Sequence, residues 1–200
     1  AGLYDQEKNL YESADTFKRI LELDSSQVRA HMGLARIYAM QGKFDESEAE
    51  LKQAIKLDPK DAKPRVNLAR FYMERKAPDK ARAQIEAAIA QDPQNVDLYI
   101  ILGNFFFQMK NPQEAEKAYL KAIEVSPDDV KPYMVAAGFY NASDNAEKTL
   151  GMYEKALAVK PKDVNIMTTV AAYHVKQGQP AEANAYLDRV LEARPKFYPA

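Results

Sequence analysis

Four stretches decide the fold: LKQAIKLDPKD at 51–61, IEAAIAQDPQN at 85–95, YLKAIEVSPDD at 119–129 and YEKALAVKPKD at 153–163. Each begins 34 residues after the one before, with no insertion or deletion. A fixed period of this length marks an array of supersecondary units that bury their apolar faces only by stacking. With Pro59, Pro93, Pro127, Pro161 and Pro195 set at position 32, complete repeats run 28–61, 62–95, 96–129, 130–163 and 164–197. Residues 1–27 fill positions 8 to 34 of a partial repeat, and 198–200 open a further one. The whole chain, 1–200, therefore reads as a single array.

The columns of the repeat carry the physics. Position 8 holds only small residues (Ala1, Ala35, Ala69, Gly103, Ala137, Ala171), as two closely approaching helix backbones require. Position 11 is aromatic at Tyr4, Tyr38, Tyr72, Phe106 and Tyr140, with His174 in the last repeat. Position 24 is large and apolar (Phe17, Leu51, Ile85, Tyr119, Tyr153, Leu187), while position 20 is small and position 27 mostly Ala. Small residues set against large ones at spacings of three and four suit ridge-into-groove helix packing. Every proline falls at position 2, 3, 17 or 32, at helix starts and corners where its missing N–H costs nothing. Asp61, Asn95, Asp129 and Asp163 at position 34 are N-caps for the next helix. Gly42 and Gly178 at position 15 end the first helix of their repeats. The spacing predicts helix A over positions 1–14 and helix B over 17–31, with a tight turn between them.

Composition agrees and excludes several functions. Ala, Leu, Lys and Glu dominate without β-branched alternation, so the chain is all-α. A net charge of −1 with interspersed signs supplies no basic block for a phosphate backbone, so nucleic acid is not an expected partner. No apolar run reaches the length of a membrane span. The absence of cysteine removes disulfides, thiolate catalysis and Cys-based zinc sites. His31 and His174 lie about four repeats apart and read as packed residues rather than ligands. Asp45/Glu46 and Asp128/Asp129 lie at corners and caps, with no apolar pocket to tune them for acid–base work. No phosphate-binding glycine loop or metalloprotease motif occurs. The expectation is no enzyme activity, no cofactor and no metal.

The period and the columns at positions 8, 11, 20, 24, 27 and 32 together resemble the tetratricopeptide repeat family over essentially the whole chain. The departure is at position 4, where the family favours Trp and this chain has His31, Arg65, Tyr99, Tyr133 and Met167. The resemblance implies a right-handed superhelical α-solenoid of antiparallel helix pairs. It also implies that the arc of helix A opposite the packing positions, at positions 2, 5, 6, 9, 12 and 13, lines a concave groove that holds a peptide. On that arc Met32, Val66, Met73, Ile100, Phe107 and Met134 are the apolar candidates. Arg36, Asn67, Arg70 and Asn104 are the polar ones. Met73, Ile100 and Phe107 are expected to form the densest patch, and methionine suits varied partners because it repacks easily. The family's clamp for chaperone C-terminal carboxylates needs Lys at position 5, where this chain has Met32, Val66, Ile100, Met134 and Thr168. That function is rejected.

The leading expectation is a non-catalytic scaffold that binds a peptide or helical segment of a partner protein. Two others stand beside it: a self-assembling structural module, and a regulatory arm of a larger enzyme or of an envelope or secretion assembly. Both ends read as raw, so a longer parent chain is expected. Compartment is left open.

Overall fold

The chain is all-α, as the columns predict. The computed structural model describes residues 2–193, with the side chains of residues 9–193. Eleven α-helices are found among the described residues: α1 (Gly2–Leu23), α2 (Val28–Met40), α3 (Phe44–Leu57), α4 (Ala62–Glu74), α5 (Pro78–Gln91), α6 (Val96–Gln108), α7 (Pro112–Val125), α8 (Val130–Ala142), α9 (Ala146–Val159), α10 (Val164–Lys176) and α11 (Pro180–Ala193). From α2 onward each even helix is a helix A of 13 residues and each odd one a helix B of 14. Sequential helices form antiparallel pairs. The repeat begun at 198–200, and Pro195 with it, lies outside the described residues.

The chain divides into two units, Ala1–Leu98 and Tyr99–Ala200. In the first, α2 packs on α1, α3 and α4, and α4 packs on α3 and α5. In the second, α8 packs on α7 and α9, and α10 on α9 and α11. Small residues let these backbones approach: Ala54, Ala88, Ala122 and Ala156 at position 27 are each 0% exposed. Ala35, Ala69, Ala137 and Ala171 at position 8 are likewise buried. Large residues fill the spaces between, Leu68 and Leu98 among the most completely enclosed. Each such leucine contributes about 1.5–3 kcal/mol through removal from water.

Turn and cap chemistry sets the helix ends. Position 15 is in the left-handed region in every complete repeat: Gly42, Lys76, Lys110, Asp144 and Gly178 have φ of 74°, 55°, 57°, 53° and 70°. That conformation lets the next N–H reach back, as when Asn111 donates to Phe106 O at 2.9 Å and Ala77 to Tyr72 O at 2.8 Å. The position 34 caps form: Asp61, Asp129 and Asp163 accept from the N–H of Lys63, Lys131 and Asn165 at 2.9 Å, and Asn95 from Asp97 at 3.2 Å. Asn111 and Asn145 cap helices B as well, through the N–H of Glu114 and Lys148.

The partial repeat departs from its expected form. Positions 8–34 call for a turn near residues 8 and 9, yet α1 runs unbroken from Gly2 to Leu23. Lys8 and Asn9 match Lys110 and Asn111, which do turn, and Leu10 stands where Phe44 and Ala146 start helices, so these residue types do not by themselves account for the difference.

Candidate functional site

In the first unit, successive helices A stack side by side, with helix B behind them. Between α2, α3 and α4 this leaves an open-sided cavity of about 150 Å³. Four of the predicted residues line it: Met32 and Arg36 from α2, Asn67 and Arg70 from α4. Ala35 and Ala39 of α2, Ser47 and Leu51 of α3, and Phe71 and Glu74 of α4 complete the lining. Ala35, Ser47, Leu51 and Phe71 are buried and form the floor. Arg36, Arg70 and Glu74 are exposed at the rim. The Asn67 amide donates to Met32 Sδ at 3.4 Å, tying the two helices A together across the cavity. Val66 and Met73 are half-buried and stand outside the lining. Ala35, Ser47 and Leu51 stand at the packing positions 8, 20 and 24 and are buried there; the cavity opens because alanines at positions 8 and 12 leave room above them.

In the second unit Phe107 is 43% exposed. Its ring meets Phe139 edge to face with centroids 5.7 Å apart, and Phe139 in turn packs on Tyr119 at 5.2 Å. Phe107 is thus the open end of a buried aromatic stack. Asn104 is exposed, but its Oδ1 accepts from the Tyr119 hydroxyl at 2.7 Å. Met134 is half-buried. Ile100 corrects the expectation of an exposed patch with Met73 and Phe107: it is buried, at 7% exposure. The reason lies in α6, VDLYIILGNFFFQ, which is apolar on nearly every face and so is buried on more than the packing arc.

The histidines are satisfied inside the fold. His31 is 8% exposed, with Nδ1 against Glu50 Oε2 at 2.5 Å and Nε2 against Ser25 O at 3.1 Å. His174 stacks on Tyr186 and pairs with Gln179 Oε1 at 2.8 Å. Asp129 serves as a cap, while Asp45 and Glu46 sit in the first turn of α3, where the helix dipole favours them. No group of side chains able to hold a metal occurs among the described residues, and no described helix is long and apolar enough to cross a membrane.

Two polar clips join successive repeats, and both went unread in the sequence. In the first unit Glu48 Oε1 accepts from the Tyr72 hydroxyl at 2.8 Å and from Lys52 Nζ at 2.6 Å. In the second Glu116 Oε1 accepts from the Tyr140 hydroxyl at 2.7 Å and from Lys148 Nζ at 2.6 Å. The lysine, with the tyrosine's help, holds each carboxyl below the usual glutamate range. Burial, then the carboxylate, pushes the Tyr72 phenol up to about 12.

An all-helical array of sequential antiparallel pairs defines a helical-repeat protein. Tetratricopeptide repeat family models match residues 6–62, 41–90, 96–129 and 164–194. The chain belongs to the tetratricopeptide repeat family, which is in general a protein-interaction module and typically non-catalytic. No curated protein matches it in sequence. Among solved structures it is similar to BtubC (BKLC) from P. vanneervenii, with TM-score 0.62, 19% identity, and 100% of this chain and 95% of that one covered. It is also similar to MamA, with TM-score 0.57, 23% identity, and 84% and 92% covered. A third is YrrB, described as a TPR protein with an unusual peptide-binding site, with TM-score 0.51, 16% identity, and 92% and 94% covered. At these identities the likeness is one of fold.

Proposed function

We propose that this protein holds a peptide or helical segment of a partner protein on the exposed arc of its helices A. One observation carries the reading: the cavity between α2, α3 and α4 is lined by Met32, Arg36, Asn67 and Arg70 above an apolar floor. A concave site with an apolar base and few polar groups is the usual form of a binding pocket. Phe107 adds an exposed aromatic on the same arc of a helix A in the second unit. Exposed aromatics set in apolar surroundings are the residues on which binding energy concentrates.

The test pairs affinity with stability. A peptide selected on the full chain should lose about 2 kcal/mol of binding with Phe107→Ala, or with Met32→Ala if it seats in the first unit. Both variants should lose less stability than a core truncation, since Phe107 is exposed and Met32 only half-buried. Tyr72→Ala removes a core ring that is 6% exposed and should lower the melting temperature far more. If Phe107→Ala unfolds the protein as badly as Tyr72→Ala, Phe107 is a packing residue and the reading fails for that unit.

A further inference from the structure

We infer that the cavity of the first unit takes one apolar side chain of a peptide whose neighbouring residue is an aspartate or glutamate; the inference rests on the peptide-binding reading above. Its volume of about 150 Å³ is the size at which an apolar cavity admits a benzene-sized group. Leu51 and Phe71 provide an apolar floor, and Met32 a wall that repacks around different shapes. Shape and apolarity alone would accept any such side chain.

The rim selects. Arg36 and Arg70 occupy the same position of successive repeats and both line the cavity, and neither makes an ion pair or hydrogen bond among the described residues. A guanidinium without a carboxylate partner keeps its planar fork of donors free for one. Among the described residues Glu74 is the only carboxylate in the lining, so two positive charges and one negative leave the cavity with one positive charge to match. A single carboxylate balances that charge. A phosphate dianion exceeds it, and a lysine is repelled by both arginines. The Oδ1 of Asn67 remains available to a peptide N–H, because the amide nitrogen makes its hydrogen bond to Met32.

The experiment uses the full chain and an array of capped short peptides. In these an aliphatic or aromatic residue is set next to Asp, Glu, Asn, Gln, phosphoserine or Lys. The acidic members should bind, and replacing the carboxylate by its amide should weaken binding about tenfold or more. Arg36→Gln and Arg70→Gln should each weaken the acidic peptide by about the same factor while leaving the amide twin within about twofold. Glu74→Gln should tighten it. Both arginines are exposed, so melting temperatures serve as a control that the fold is intact. Binding that is equal for acid and amide peptides, or that favours lysine or phosphoserine, overturns the inference and leaves the peptide-binding reading standing. Light scattering showing that a second copy of the chain fills the site and excludes the peptide overturns the inference and the peptide-binding reading together. If no peptide of any class binds, the peptide-binding reading itself falls.

Discussion

Gly103 shows how one missing methyl sets a contact. A Cβ built there would lie 2.4 Å from Tyr119 Cε1. The Tyr119 ring is 3% exposed and its hydroxyl is bound to Asn104, so it has no room to yield. In a helix interior Gly→Ala ordinarily gains about 1 kcal/mol, whereas overpacking costs about 1–3 kcal/mol. Here the clash wins, and Gly103→Ala should lower the melting temperature by a few degrees. Gly151→Ala, with nothing within 4 Å of the new methyl, should raise it. Thermal unfolding followed by circular dichroism checks both signs. The Glu–Tyr clips make a second prediction. The folded Tyr72 phenol lies above its ordinary value of 10, so its share of stability is complete below pH 10 and fades as pH rises towards 12. Glu48 and Glu116 are depressed, so theirs is complete above about 4.5 and fades as pH falls through their folded values. Tyr72→Phe should cost about 0.5–1.5 kcal/mol at neutral pH and flatten the alkaline limb; denaturant midpoints across pH measure it. Neither clip forms a readable column. Position 21 runs Ala14, Glu48, Arg82, Glu116, Leu150, so periodicity carried no signal for it.

At the scale of the element, the turn at position 15 repeats its geometry while changing its residue. Lys76, Lys110 and Asp144 hold the left-handed conformation that Gly42 and Gly178 adopt freely. For an L-residue this costs roughly 1–2 kcal/mol, against roughly 0.5–1 kcal/mol of extra backbone entropy lost by glycine. Lys110→Gly should therefore stabilise modestly, and Gly42→Ala should destabilise by about 1 kcal/mol or more. Urea titration of the two variants distinguishes them from the parent. The helices were legible because packing writes the same demand into positions 8, 20, 24 and 27 five times over. Left-handed turns at Lys76 and Lys110 were not, since lysine advertises nothing of the kind. The same contrast governs the site. The exposed arc followed from the wheel, but Leu51 was assigned to packing alone and the burial of Ile100 was missed. A wheel separates one face from another; it does not show where neighbouring helices leave a gap.

Within each unit of the molecule, successive repeats meet through equivalent residues, so stability is approximately a sum over repeats and their interfaces. Removing residues 130–163 should leave a folded helical protein, with helicity per residue kept and the melting temperature lowered. Circular dichroism and gel filtration would show it, and loss of cooperative unfolding would contradict it. The expectation rests on the caps: Asp129 accepts from the N–H of Lys131 and Asp163 from that of Asn165, both at 2.9 Å. After the excision Asp129 precedes Val164 and meets Asn165 in the same register. Heredity inherits this interchangeability. A gene whose segments all encode the same length, and whose joints all carry the same chemistry, can lose or duplicate one segment by misaligned recombination without shifting the reading frame or spoiling a junction. The number of repeats can then change in whole steps, each one lengthening or shortening the array by the same 34 residues.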